Sequence, residues 1–302
     1  MLIDLTGEII GISMDDAILQ ISEFVYLQGS FAFTKGASST ISVTTVGGVR
    51  IDDVKVNSIE VGASGVQAFV GINGPYRTIE NGVLSDPNED SIGLVIDDLT
   101  FGMVLMQAQR NIAAPASNVV VGTKFIALKA TAGEVGFVGF TDILDLSLED
   151  VLVGVNFSKN PLYIADFTKG GTSAGYSVAT GTSTAPVVLD YTNELIEATV
   201  GTATAKIAGI LSIEGGFTFQ RKVISGVDFR LPGTTVTADA VALIIAGQDV
   251  DAFAGIDIDG GPRIGFEVTD LDFAFAMLTP SLGGGQTLPA NFFALSASAA
   301  TA

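Results

Sequence analysis

The phrase IGLVIDDLTFGMVLM, residues 92–106, carries its apolar side chains on every second position. Ile92, Leu94 and Ile96 share one face of an extended chain, and after the pair Asp97-Asp98 so do Leu99, Phe101 and Met103. A period of two is the mark of a strand with one face turned toward a core. The step of three from Ile96 to Leu99 reverses the facing, which predicts a bulge or a corner at the Asp pair. The pattern returns in VRIDDVKV (49–56), VGASGVQAFV (61–70), LKATAGEVGFV (128–138) and LDLSLEDVLVGV (145–154). Val, Ile, Phe and Thr fill the arms; Gly, Asp, Ser and Asn fill the joints. Helical spacing is rare. Its best candidate, MDDAILQISEF (14–24), is read as a strand alongside its later counterpart TATAKIAG, which is rich in Thr and Ala.

That counterpart belongs to an internal repeat. Residues 3–33 align without a gap on 189–219, and nine of the 31 positions are identical, among them Asp4/Asp190, Gly29/Gly215, Phe31/Phe217 and Phe33/Phe219. VQAFVGINGPY (66–76) then meets VDAFAGIDIDGGP (250–262), IGLVIDDLTFGMVLM meets IGFEVTDLDFAFAML (264–278), and FIALKATA (125–132) meets FFALSASA (292–299). The spacing shrinks along these blocks from 186 to 184, 172 and 167, so residues are lost only between them. Losses are tolerated where backbone runs over a surface, which predicts loops at 72–91 and 107–124 and core strands in between. The expected organisation is a first β-repeat unit over 1–188 and a second over 189–302, incomplete at its C-terminus. The expected fold is all-β: an elongated tandem repeat, as a β-solenoid or a long coiled β-sheet, with stacked β-sandwiches as the alternative.

Composition narrows the chemistry. The chain of 302 residues has no Cys, no His and no Trp. Disulfides, thiolate nucleophiles, Ser-His-Asp hydrolysis and Cys- or His-ligated metals are excluded together; carboxylate chemistry survives. With 14 Lys+Arg against 33 Asp+Glu, the net charge of −19 repels nucleic acid and anionic lipid and attracts cations. No signal peptide leads the sequence, and apolar runs such as VALIIAG (241–247) are far short of the roughly 20 residues of a membrane helix. An outer-membrane barrel would fit the alternation, but no aromatic girdle is available with 5 Tyr and no Trp.

Four sets of residues invite a chemical reading. In SDPNEDS (85–91), Asp86, Asn88 and Asp90 alternate as oxygen ligands of a calcium loop do, and Asp257 and Asp259 stand in DIDGG of the second unit. Neither set is followed by the Glu that closes a helix-type calcium loop, and the competing reading is a solvated acidic turn. The pairs Asp52-Asp53 and Asp97-Asp98 would serve a polysaccharide-cleaving site as paired acids, but Asp at a recurring joint is better explained by backbone geometry. Phe31, Phe33, Phe69, Phe101 and Phe125 recur as Phe217, Phe219, Phe253, Phe273 and Phe292, which reads as core filling. GGTSAGYS (170–177) and GTSTAP (181–186) read as a flexible connection; they lack the Lys-Ser/Thr of a phosphate loop.

GSFAF, VGASGVQAFVGINGPY, IGLVIDDLTFGMVLM and FIALKATAGEVGFVGF resemble modules repeated in tandem in very large secreted or cell-surface bacterial proteins, of the hemolysin-type calcium-associated, adhesin-like kind. The resemblance implies export, a multi-unit parent, and a structural or adhesive role with no enzyme activity. The implied partners are neighbouring repeat units or copies of the chain, and cell-surface or matrix glycans; calcium is the one implied cofactor. A self-assembling extracellular filament or sheath subunit is the alternative, and a carboxylate-dependent enzyme on a β-solenoid stands behind it.

Overall fold

The computed structural model describes residues 10–300, apart from 23, 141–142, 169–174, 232, 257–263, 283–285 and 288–290. Three long strands open it: β1 (Ile10–Ile21), β2 (Val25–Thr45) and β3 (Arg50–Ile72). Two short ones, β4 (Ile79–Glu80) and β5 (Val83–Leu84), precede the long β6 (Ile92–Ala108), β7 (Lys124–Val138) and β8 (Leu144–Ser158). A connection with β9 (Tyr163–Asp166), β10 (Tyr176–Val178) and β11 (Val187–Leu189) leads to a second long series. It consists of β12 (Leu195–Ile207), β13 (Leu211–Leu231), β14 (Thr234–Ile256), β15 (Ile264–Leu282), β16 (Gln286–Thr287) and β17 (Phe292–Ser298). The chain is all-β: the single helical element among the described residues is a 3-10 turn, Pro115–Val120.

The long strands make one antiparallel sheet in the order β1-β2-β3-β6-β7-β8-β12-β13-β14-β15, with β16 and β17 both pairing with β15. No break separates the two halves. The ladder between β8 and β12 runs from Asn156↔Leu195 to Leu144↔Ile207. Register irregularities recur at corresponding places. The slip between Met14 and Ala17 of β1 returns between Val200 and Ala203 of β12. Those around Val66 of β3 return around Val250 of β14. The segment read as strand at 14–24 is strand to Ile21, and the facing reversal at Asp97-Asp98 is a bulge. Leu189, fully buried, ends β11 and packs with the first half, so the second series of long strands starts only at Leu195.

Alternation decides what is buried. Val54 and Val56 of β3 and Val104 and Met106 of β6 point to one face, where Val120, Phe167, Val178 and Leu189 close over them. The cover is the β8–β12 connection together with the 3-10 turn. Of the stretches expected as a flexible connection, 170–174 lie outside the described residues, Tyr176 of the first packs against the core, and Val178 and Thr180 between the two stretches are fully buried. Glycine makes the room. A Cβ on Gly62 would lie 2.1 Å from the Ala179 carbonyl oxygen, and one on Gly102 would lie 2.8 Å from Val187 Cβ. Composition suggested flexibility because small residues suit both a tether and a tightly packed layer.

The opposite face is apolar too and has no cover among the described residues. Directly paired positions trace the row Met14–Phe31–Ala63–Phe101–Ala130–Val153–Ala198–Phe219–Ile245–Phe275–Leu295 across eleven strands. A parallel row runs from Ile12 through Phe33, Val61, Met103, Leu128, Val155 and Ile196, is interrupted by Arg221, and continues through Leu243 to Phe293. The repeated phenylalanines therefore divide. Phe69, Phe125 and Phe253 are buried, whereas Phe33 and Phe219 remain 36% and 41% exposed and Phe31, Phe101, Phe217, Phe273 and Phe292 are half-buried. Phe292, opposite Leu278, points away from the row that ends at Phe293 and packs on the buried Phe229 with ring centroids 4.7 Å apart. Core filling is corrected for the other six: alternation places side chains on a face, and only one of the two faces is covered. The first row also slips. It starts at Met14 and reaches β12 at Ala198, two residues short of Val200, the counterpart of Met14.

Candidate functional site

The segment between β3 and β6 is the loop that the second half of the chain shortens, and it is built as a lid. Phe69 packs with Tyr26 and Val95 beneath it, with Tyr76 at the margin. Gly74 lies directly against the Phe69 ring, where a Cβ would come within 2.2 Å of Cε1. The Gln28 side chain acts as a strand in miniature: its Nε2 donates to the Ile79 carbonyl at 2.6 Å, and its Oε1 accepts the Ile79 N–H at 2.8 Å. Tyr26 Oη donates to the same Oε1 at 2.6 Å. In the second half Tyr26 becomes Ser212, Gln28 becomes Glu214 and Val95 becomes Glu267. Where the lid is shortened, the surface it would cover has turned polar.

Asp97 sits under the edge of this lid. Oriented to satisfy its hydrogen bonds, the Gln67 amide donates to Asp97 Oδ1 at 2.8 Å and accepts the Asp98 N–H at 3.2 Å. Arg77 Nε stands 3.6 Å from Asp97 Oδ2. Burial raises the Asp97 pKa above the usual carboxylate range; Arg77 opposes the shift, while Glu134 and Asp98 add to it. Asp98 instead faces solvent with φ 54°. The two acids of the pair thus do different things. One is a half-buried hydrogen-bond acceptor, and the other occupies the left-handed conformation that Asp tolerates better than most residues. Asp16, Asp53, Asp150, Asp249 and Asp270 share that conformation, so the joints read from the sequence are largely left-handed aspartates. At the other joint, Asp52 Oδ1 accepts from Ser42 Oγ at 2.5 Å and from Arg50 Nε at 2.8 Å. Arg50 also bonds Asp166 Oδ2 at 2.6 Å, tying the start of β3 to β9.

The candidate calcium ligands fall in the second part of the lid. Asn88 Nδ2 donates to the carbonyl of Asn73 at 2.8 Å, and its Oδ1 accepts the Asp90 N–H at 3.1 Å, so its side chain staples the loop to itself. Asp86 and Asp90 are exposed. Among the described residues no three His, Cys, Asp or Glu side chains come together as a metal site. Asp257 and Asp259 lie outside the described residues.

Two features escape sequence reading because the pairs meet only through the sheet. Tyr176 Oη donates to Glu60 Oε1 at 2.5 Å across the covered face. Burial first, and then that bond, push its pKa up to about 12. On the uncovered face, a shallow groove of about 470 Å³ has Ile59, Leu105 and Ile126 in its lining and Lys35, Lys124 and Lys159 around it. No helix of the described residues is long and apolar enough to cross a membrane. No known protein family matches this chain, and comparisons with curated proteins and with solved structures return no match.

Proposed function

We propose that this chain is a non-enzymatic structural segment of a larger repeat array, secreted or attached to a bacterial surface, whose role is to extend a sheet and present its faces to glycans or to neighbouring units. The observation that carries the reading is the ladder between β8 and β12, which joins the repeat halves within one sheet. A linker between independent domains would not need it. Units joined strand to strand transmit load through backbone hydrogen bonds and add length without any catalytic group. Duplicating residues 3–188 within the chain tests the idea. Six more long strands at about 4.8 Å each should lengthen the particle by roughly 29 Å, read from solution scattering or micrographs. Copies that appear as beads with variable separation, or no fixed increment at all, would refute it.

A second reading, self-assembly into a filament or sheath, is favoured by the uncovered apolar face. Ten strand spacings of about 4.8 Å by three alternate positions of about 6.8 Å give on the order of 1,000 Å², beyond the apolar patches usual on monomers. The patch draws on both halves of the chain, so a second copy of the same sheet matches its dimensions, and two such faces would pack roughly 10 Å apart. Sedimentation separates the readings: a strict monomer at high concentration removes self-assembly and leaves the array intact.

A further inference from the structure

Among the described residues, strand β1 lies at one margin of the sheet, paired with β2 along one side only. Its counterpart 186 residues later, β12, has neighbours on both sides: β13, which corresponds to β2, and β8. The chain therefore holds the same kind of strand in two situations. With β8 beside it, β12 keeps Ile196, Ala198 and Val200 half-buried. Without such a neighbour, the corresponding Ile10, Ile12 and Met14 are 46%, 57% and 47% exposed, and Ile18, Leu19 and Ile21 are exposed as well. Edge strands are usually blunted by Lys, by Pro or by a bulge that turns the edge away. In IGISMDDAILQI there is neither Lys nor Pro. The bulge does not block the edge either. Between Val200 and Ala203 the equivalent irregularity affects only the β13 side, while the β8 ladder runs past it in unbroken register, with Val200 opposite Val151 and Thr202 opposite Glu149.

We propose that the free edge of β1 is a docking edge for the sixth strand of another repeat unit, a β8-type strand, taken up antiparallel in the register that β8 keeps on β12. Transferred by the 186-residue spacing, that register sets Ile10 opposite Val155, Ile12 opposite Val153 and Met14 opposite Val151 of the incoming strand. All three pairs fall on the uncovered apolar face, so its rows would continue into the next unit. One position resists. Asp15 and Asp16, which correspond to Gly201 and Thr202, would stand near Asp150 and Glu149, and like charges on neighbouring strands repel. An incoming strand neutral at those two places is the better fit. The proposal rests on the repeat-array reading, but its test does not. A failed edge leaves the length increment of a duplicated unit standing, and a failed increment leaves the edge chemistry to be read by itself.

The absence of Cys makes the register directly readable. In the full chain, Met14→Cys provides a single thiol on an exposed side chain. It is mixed under mild oxidation with synthetic 15-residue peptides of segment 144–158 that carry Cys in place of Val151, Val153 or Val155. Met14→Cys should form its disulfide at least tenfold faster with the Val151 peptide than with the Val155 peptide. Ile12→Cys should move the preference to the Val153 peptide. Peptides that also carry Glu149→Gln and Asp150→Asn should react several-fold faster at the same pH. Crosslinking that ignores the position of the peptide thiol would mean adhesion to the apolar face and overturn the proposal, as would no crosslinking by either variant while its far-ultraviolet circular dichroism matches that of the parent chain.

Discussion

Replacing Asp98 separates a geometric role from a chemical one. The residue holds φ 54° at the bulge of β6, with its side chain in solvent. In that conformation a Cβ crowds the following carbonyl at a cost of roughly 1–2 kcal/mol, which Asp and Asn offset in part through local hydrogen bonds and Gly avoids altogether. Gly also loses about 0.5–1 kcal/mol more chain entropy on folding, so Asp98→Gly should fall within about 1 kcal/mol of the parent, on the stabilising side if anything. Asp98→Asn should be neutral. Asp98→Val adds a β-branched side chain where φ is positive, and should lie on the order of 2–3 kcal/mol below the Gly variant. Urea unfolding followed by circular dichroism measures the series, with slopes expected to stay constant and midpoints to move. A loss of more than about 1 kcal/mol in Asp98→Gly would show that the carboxylate, and not the backbone, is what the site requires.

Four further outcomes follow from the same geometry. Phe69→Ala removes a fully buried ring between a strand and its lid; it should cost about 3–5 kcal/mol, and amide exchange across 73–91 should accelerate first, so a loop that keeps its protection argues against the lid. Asp97 has its pKa raised in the fold, so folding favours its protonated form and that contribution is lost as pH rises through the raised value; Asp97→Asn should be the more stable chain at pH 7 and no different near pH 3, and a less stable variant at pH 7 contradicts the burial argument. Tyr176 is likewise held neutral, so its contribution is complete below the ordinary phenol value near 10 and disappears as pH passes about 12; ultraviolet titration of Tyr176→Phe should lack one late-ionising phenol. With Asn88 spent on the loop, the melting midpoint should be the same in calcium and in chelator, and a rise of several degrees with calcium would restore Asp86, Asn88 and Asp90 as ligands.

Much of this architecture was written locally. The three-residue step from Ile96 to Leu99 announced the bulge, and the shrinking repeat spacing marked the two connections on either side of β6. Both signals arise within a few residues of chain, where alternation and deletion act directly. What closed over the sheet could not be read in the same way. Val178 and Val187 reach the core from a Gly- and Ser-rich stretch because Gly102, more than seventy residues away, leaves space for them. Alternation shows that Phe31 and Phe33 share a face but is silent on whether anything lies against it. The candidate site had the same limit. Asp97 and Asp98 are adjacent in sequence, yet Gln67 and Arg77 from other segments give one of them an interior environment and leave the other in water.

The two-residue slip of the Met14 row by the time it reaches β12 has a geometric sequel. Each residue along a strand is worth about 3.4 Å, so one six-strand unit climbs about 7 Å for every 29 Å it advances, a slant of roughly 13°. A long array laid out flat would be a parallelogram rather than a rectangle, its flanks ascending like a staircase. Ten units would end about 70 Å above the level at which they began.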